Sequence, residues 1–113
     1  MISCVLQTTI DILHIDVECS EWSSFEAAFA NPGCLSNVKQ LMVEFHPCNY
    51  KKEDKTPQEL LNYWRILRSI DDLGFKLWKV WNNFHCLFFS RRLKYVQHYG
   101  CFNAYYLNIK YII

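Results

Sequence analysis

A single α/β domain with a mainly parallel sheet is the fold class this sequence predicts, and three observations predict it. Strand-like and amphipathic segments alternate along the chain in the order β-α-β-α-β-loop-β. The first two strand-like segments are apolar at their centres, as in strands covered on both faces. Both collect their polar residues at the C-terminal end. A chain of 113 residues has room for one domain.

The first strand is read at Thr9–Glu18, with Ile10 and Ile12 on one face and Leu13, Ile15 and Val17 on the other. His14 falls mid-strand and reads as a core or interface histidine. Ser20 can cap a helix that carries Glu21 in its first turn, and Trp22, Phe25 and Phe29 form its apolar stripe. Asn31-Pro32-Gly33 ends that helix. The second strand runs from Val38 to His46, and Pro47 stops it. Thr56-Pro57-Gln58-Glu59 is a capping box with proline at the first helical position. Leu60, Trp64, Leu67 and Ile70 or Asp71 trace the face of the second helix, and Gly74 stands where a left-handed residue closes it. A third strand spans Phe75–Trp81, and Phe84–Phe89 extends it or returns beside it. Ser90–Gly100 reads as a basic loop. The final strand covers Phe102–Ile109, with Tyr105, Leu107 and Ile109 on one side. With no helix between them, the last two strands should pair as an antiparallel hairpin.

Composition excludes several function classes. The chain is 51% hydrophobic and 17% aromatic, which is the make-up of a packed core and not of a disordered tail. No uncharged stretch approaches the roughly 20 residues of a membrane span. Twelve basic against eleven acidic residues give no overall pull toward nucleic acid. Arg91, Arg92 and Lys94 lie among Tyr95, Tyr99 and Phe102, a mixture that suits single strands, but so sparse a patch reads as a solvated loop. No nucleic-acid partner is expected. The six cysteines, at 4, 19, 34, 48, 86 and 101, include no close pair, which argues against a structural zinc module. Met1–Leu6 lacks the basic region of a secretory leader and Asp11 follows soon after, so buried free thiols are expected.

In open α/β sheets, ligands bind beyond the carboxyl ends of the strands. Asp16 and Glu18 share a face there on the first strand, as do Glu44 and His46 on the second. Strands about 4.8 Å apart would bring the four together. These four are the candidate catalytic residues. Such a set can act as general base, accept hydrogen bonds from a cationic or hydroxylated substrate, or ligate Mg or Mn. Strand ends are polar in any case, and no metal is assigned from the sequence.

The stretch Ile10-Asp11-Ile12-Leu13-His14-Ile15-Asp16-Val17-Glu18-Cys19-Ser20-Glu21-Trp22 resembles the "IDxLKIDVEGxEW" motif of FkbM-type methyltransferase-like domains. Gln40-Leu41-Met42-Val43-Glu44-Phe45-His46 is similar to their "QLLxEIH" strand, and Ile70–Trp78 to their "LxxxGYRLF" turn. Asn82 or Asn83 stands near an Asn that often follows that turn. Cys101–Asn108 is similar to the closing "CxExxFxN" strand. The matches are collinear over residues 9–109. The resemblance implies the C-terminal half of a Rossmann-like class I methyltransferase sheet, β4-α-β5-α-β6-β7, within the order 3-2-1-4-5-7-6 and with strand seven antiparallel. Residues 1–113 would then be one partial methyltransferase-like domain, the substrate-side half.

S-adenosylmethionine is the cofactor the resemblance implies, but binding by this chain alone is not expected. The glycine-rich turn and the acidic ribose anchor belong to strands one to three, and the only glycines here are Gly33, Gly74 and Gly100. The chain also departs from the family. Cys19-Ser20 stands where members have Gly-Ala or Gly-Gly, and cysteine opposes a tight turn that glycine permits. His14 stands where bacterial members have Lys, and Asn103 where many have Glu. The alternative reading is a non-enzymatic interaction module. Its partner would be a second copy joined through the strand at 9–18, whose outer neighbour is missing from this chain.

Overall fold

In the computed structural model, the described residues are 8–31, 33–46, 56–82 and 101–112, with the backbone alone of 87–90 and 96–99. The elements are β1 (Ile10–Ile15), α1 (Glu21–Phe29), β2 (Val38–Phe45), α2 (Pro57–Asp72), β3 (Phe75–Asn82), β4 (Leu87–Ser90), β5 (Val96–Tyr99) and β6 (Phe102–Asn108). A 3-10 turn at Ile109–Tyr111 follows. The fold is a small α/β fold with two helices and a mixed four-stranded sheet in the order β1-β2-β6-β3. β1 runs parallel to β2, with Leu13 beside Leu41 and Ile15 beside Val43. β6 lies antiparallel to both β2 and β3, with Val43 beside Ala104 and Phe75 beside Asn108. β4 and β5 form a separate antiparallel pair.

The core follows from alternation along the strands. Leu41, Val43 and Phe45 of β2 and Ala104 and Tyr106 of β6 are buried, with Ile15 of β1 and Phe75 of β3. Trp22, Phe25 and Ala28 from α1 and Ile66 and Ile70 from α2 pack into the same cluster. The described helices therefore share one face of the sheet, and Leu13, turned to that face, is half-buried against the cluster. Two polar residues are buried among the described residues, Glu21 and Asn108; the Asn108 Nδ2 donates to the Val38 carbonyl at 2.9 Å and ties β6 to β2. Its Oδ1 accepts from the Lys110 N–H and caps the 3-10 turn.

Two helix ends match their sequence signals. Thr56 caps α2 by accepting the Glu59 N–H at 3.2 Å, with Pro57 at the first turn. Gly74 adopts φ +100 and its N–H bonds to the Asp71 carbonyl, so the left-handed closure of α2 is present.

Several expectations require correction. β1 stops at Ile15, short of Glu18, because Glu18 and Cys19 turn into the left-handed region at φ +40 and +80. β1 is not covered on both faces. Among the described residues it is an edge strand, Ile12 is 53% exposed, and His14 is exposed instead of buried. The buried stripe of α2 is Ile66 and Ile70, flanked by half-buried Tyr63 and Leu67, whereas Leu60 and Trp64 point outward. Tyr63 wins its place because it stacks on Trp22, ring centroids 4.2 Å apart. On β6 the inward set is Ala104, Tyr106 and Asn108, and Ile109 has left the strand. The segment read as a basic loop contains β5. Arg91, Arg92, Lys94 and Tyr95 lie outside the described residues, as do Phe84, Asn83 and Pro47.

Candidate functional site at the carboxyl ends of β1 and β2

The site begins with a reversal of the chain. After Ile15 the backbone turns through Asp16–Ser20, and the Ser20 N–H returns to the Val17 carbonyl at 3.2 Å. Two consecutive non-glycine residues at positive φ, Glu18 and Cys19, make the reversal tight. Ser20 occupies the N-cap position of α1 without a side-chain capping bond. Glu21 instead turns its carboxylate back onto the preceding turn. Its Oε2 accepts the Val17 N–H at 3.0 Å and its Oε1 the Cys19 N–H at 3.3 Å. A carboxylate at a helix N-terminus also faces the positive end of the helix dipole.

The same carboxylate reaches β2. Glu21 Oε1 accepts the backbone N–H of His46 at 2.9 Å and lies 3.0 Å from its Nδ1. A carboxylate can only accept, so this bond puts a proton on Nδ1. The neighbouring Trp22 donates its Nε1–H to the His46 carbonyl at 2.9 Å. Two adjacent residues of α1 thus hold one histidine at three points, and Glu21 is fully buried in doing so.

With Nδ1 committed, the other imidazole nitrogen sets the chemistry. His46 Nε2 lies 3.5 Å from Glu44 Oε1 and 3.8 Å from Asp16 Oδ1. One ligand-type atom from each of Asp16, Glu44 and His46 falls within a mutual 4.8 Å. The His46 and Glu44 side chains are 15% and 18% exposed and Asp16 is 44% exposed, so the cluster opens to solvent on the Asp16 side. A buried carboxylate that orients an imidazole, whose far nitrogen meets a polar cleft, is an arrangement able to accept and return a proton.

Three of the four predicted residues, Asp16, Glu44 and His46, come together. Glu18 does not join them. The two-residue alternation that would align it with Asp16 ends with β1 at Ile15, and Glu18 is exposed on the turn. Glu21 was missed as a site residue and read as a helix-end charge. Its signal was present in the motif carrying the resemblance, as the acid immediately before the buried Trp22.

Cysteine chemistry also departs from expectation. Cys19, Cys34 and Cys101 are disulfide-bonded, and none of the described cysteines is a free thiol. Disulfide formation depends on Cα separations that linear spacing does not report. Cys19 is both the residue at φ +80 and a cross-linked one, so the turn that delivers Glu21 is covalently anchored.

A hollow of about 220 Å³ lies at the opposite, amino end of the strands, between Ala28, Leu35, Leu73 and Phe75. It contains no acid or imidazole, so the chemistry is placed at the carboxyl ends. No described helix is long and apolar enough to cross a membrane. Comparison of the chain with protein-family models, with curated proteins and with solved structures returns no match.

Proposed function

We propose that this chain is the substrate-side half of an S-adenosylmethionine-dependent methyltransferase fold, inactive in methyl transfer by itself. One observation carries the reading. β6 inserts antiparallel between β2 and β3, giving β1-β2-β6-β3. That is the order 4-5-7-6, with strand seven antiparallel, that the resemblance implies. The cluster lies at the carboxyl ends of the two parallel strands, where α/β sheets take ligands. There His46 Nε2 would take a proton from a hydroxyl or amine acceptor, Glu21 would hold the imidazole in place, and Asp16 and Glu44 would line the cleft beside it. The described residues do not fit a site for the cofactor itself, since they contain no glycine-rich turn.

The test is calorimetric titration with S-adenosylmethionine. One arm uses the 113-residue chain, the other the chain fused behind the cofactor-binding half of an FkbM-type domain. Binding by the fusion and not by the chain is the expected result. Failure of a folded fusion to bind would remove the methyltransferase reading. A dissociation constant below about 100 µM for the chain alone would contradict the division of labour.

A second reading rests on the exposed edge of β1. Among the described residues β1 has β2 on one side only, and with Ile12 open to solvent it has the form of a strand that pairs with another copy. The chain would then be an interaction module.

A further inference from the structure

We infer that the sheet face opposite the helices binds an acidic oligosaccharide, whose sugar rings lie on Trp78, Trp81 and Tyr105 and whose sulfate or carboxylate groups meet Lys79. The inference concerns ligand binding on β3 and β6 and is independent of methyl transfer.

Strand geometry makes the platform. Side chains three apart on a regular strand point to opposite faces, which would separate Trp78 from Trp81. A bulge brings them together. The pairing of β3 with β6 slips between Leu77 and Lys79, so Trp78 is the extra residue. Beyond the slip, Lys79 stands opposite Tyr105 and Trp81 opposite Asn103. Asn103 and Tyr105 alternate with the buried Ala104 and Tyr106, so they lie on the face away from the core. Trp78 reaches the same face, its ring centroid 6.0 Å from that of Tyr105. Trp78 and Trp81 are each 56% exposed. Both described helices pack on the other face of the sheet.

Charge selects the occupant. From Leu73 to the last residue the sequence has six Lys or Arg and no Asp or Glu. On β3 itself, Asp71 holds Lys76 at 3.0 Å, while Lys79 forms no ion pair among the described residues. The Lys79 Nζ lies 5.4 Å from the centroid of the Trp81 ring. An ammonium beside an open indole suits a ligand with a flat apolar surface and an anionic group at its rim. A pyranose ring has that surface in its axial C–H groups, whose partial positive charge complements the negative face of an aromatic ring. Asn103, beside Trp81, adds an amide donor and acceptor for sugar hydroxyls.

Two other occupants fit less well. A second copy packed here about a two-fold axis would set Lys79 and its acid-free surroundings against their own kind, and like charges across an interface repel. Single-stranded nucleic acid also combines stacking with negative charge. The disulfides decide against it. Cys19, Cys34 and Cys101 are cross-linked, a state that persists in oxidising compartments, where acidic glycans are the abundant polyanions.

The test is calorimetric titration of the disulfide-intact chain with a heparin-derived hexasaccharide. One saturable site with a dissociation constant below about 1 mM, weakened by added salt, is expected. Trp78→Ala and Trp81→Ala should each weaken binding roughly fivefold. Lys79→Gln should weaken it and flatten its salt dependence. Trp64→Ala, which removes an equally exposed indole from α2, should bind as wild type does. Circular dichroism checks each fold, and if a Trp78 or Trp81 variant does not fold, Lys79→Gln and the comparison of ligands decide. The proposal is overturned if wild type shows no saturable site up to about 1 mM. It is overturned equally if Trp78→Ala, Trp81→Ala and Lys79→Gln bind as wild type does, if neutral maltohexaose binds as tightly as the heparin fragment, or if oligothymidylate of matching charge does.

Discussion

The carboxylate of Glu21 holds both the backbone N–H and the Nδ1 of His46, at 2.9 and 3.0 Å, across 25 residues of sequence. One oxygen therefore joins the first helix to the end of the second strand. Removing it orphans His46 and the Val17 and Cys19 amides together. Glu21→Ala should cost about 3–5 kcal/mol, because several partly buried donors lose their acceptor at about 1–3 kcal/mol each. Glu21→Gln keeps one acceptor oxygen and should cost about 1–2 kcal/mol. Urea unfolding of the two variants checks the ranking, and equal losses would mean that charge rather than acceptance matters.

Cys19 predicts a crossover with redox state. Its φ of +80 strains a residue with a Cβ, at a cost of about 1–2 kcal/mol, while its disulfide restrains the unfolded chain. Under oxidising conditions wild type should be more stable than Cys19→Gly. Under dithiothreitol the order should invert, because glycine relieves the strain once the cross-link is gone. Thermal melts of both proteins in both buffers decide this. A variant less stable in both would show that φ strain is not limiting.

Tyr106 gives the alkaline limit of the fold. Burial, and secondarily the charge of Asp71, push its phenol up to about 12 from 10.0. The native state keeps this proton where the unfolded chain has released it. The contribution is fully present below pH 10 and is lost as pH rises from 10 to 12, by about 2–3 kcal/mol in all. Tyr106→Phe should flatten the fall in urea stability between pH 9.5 and 11.5 and leave neutral stability within about 1 kcal/mol. An unchanged slope would count against the assignment.

Self-association through β1 should depend on Ile12 and not on its alternate neighbours. Leu13 and Ile15 face the helices, so lysine there would damage the core. Ile12 is exposed on the other side. Ile12→Lys should lower the light-scattering mass of associated wild type toward 13.6 kDa without lowering the melting temperature by more than a few degrees. A monodisperse wild-type monomer would dismiss the interaction-module reading.

The parallel pair, both helices and the closure at Gly74 were legible because each rests on a local signal: an apolar strand centre, a capping box, a glycine at positive φ. The convergence of Asp16, Glu44 and His46 was legible too, since strand polarity places them at one end. Glu18 was misassigned because alternation holds only while the strand lasts. The face of α2 was misread because Leu60 and Trp64 offer a second stripe as apolar as the true one, and only contact with Trp22 selects Tyr63. β5 escaped notice because Val96-Gln97-His98-Tyr99 has too little apolar alternation to declare a strand. Glu21 could not be ranked from its helical position, since its importance lies in a bond to a residue distant in sequence.

The grip of Trp22 on His46 has an optical consequence. The chain has four tryptophans, and Trp64, Trp78 and Trp81 are each more than half exposed, while Trp22 is 6% exposed. A water-borne quencher such as iodide will therefore silence three emitters and spare the fourth. The blue-shifted light that survives comes from the indole bonded to the His46 carbonyl and stacked on Tyr63. Its intensity reports, without any attached dye, whether the contact between the first helix and the end of the second strand is intact.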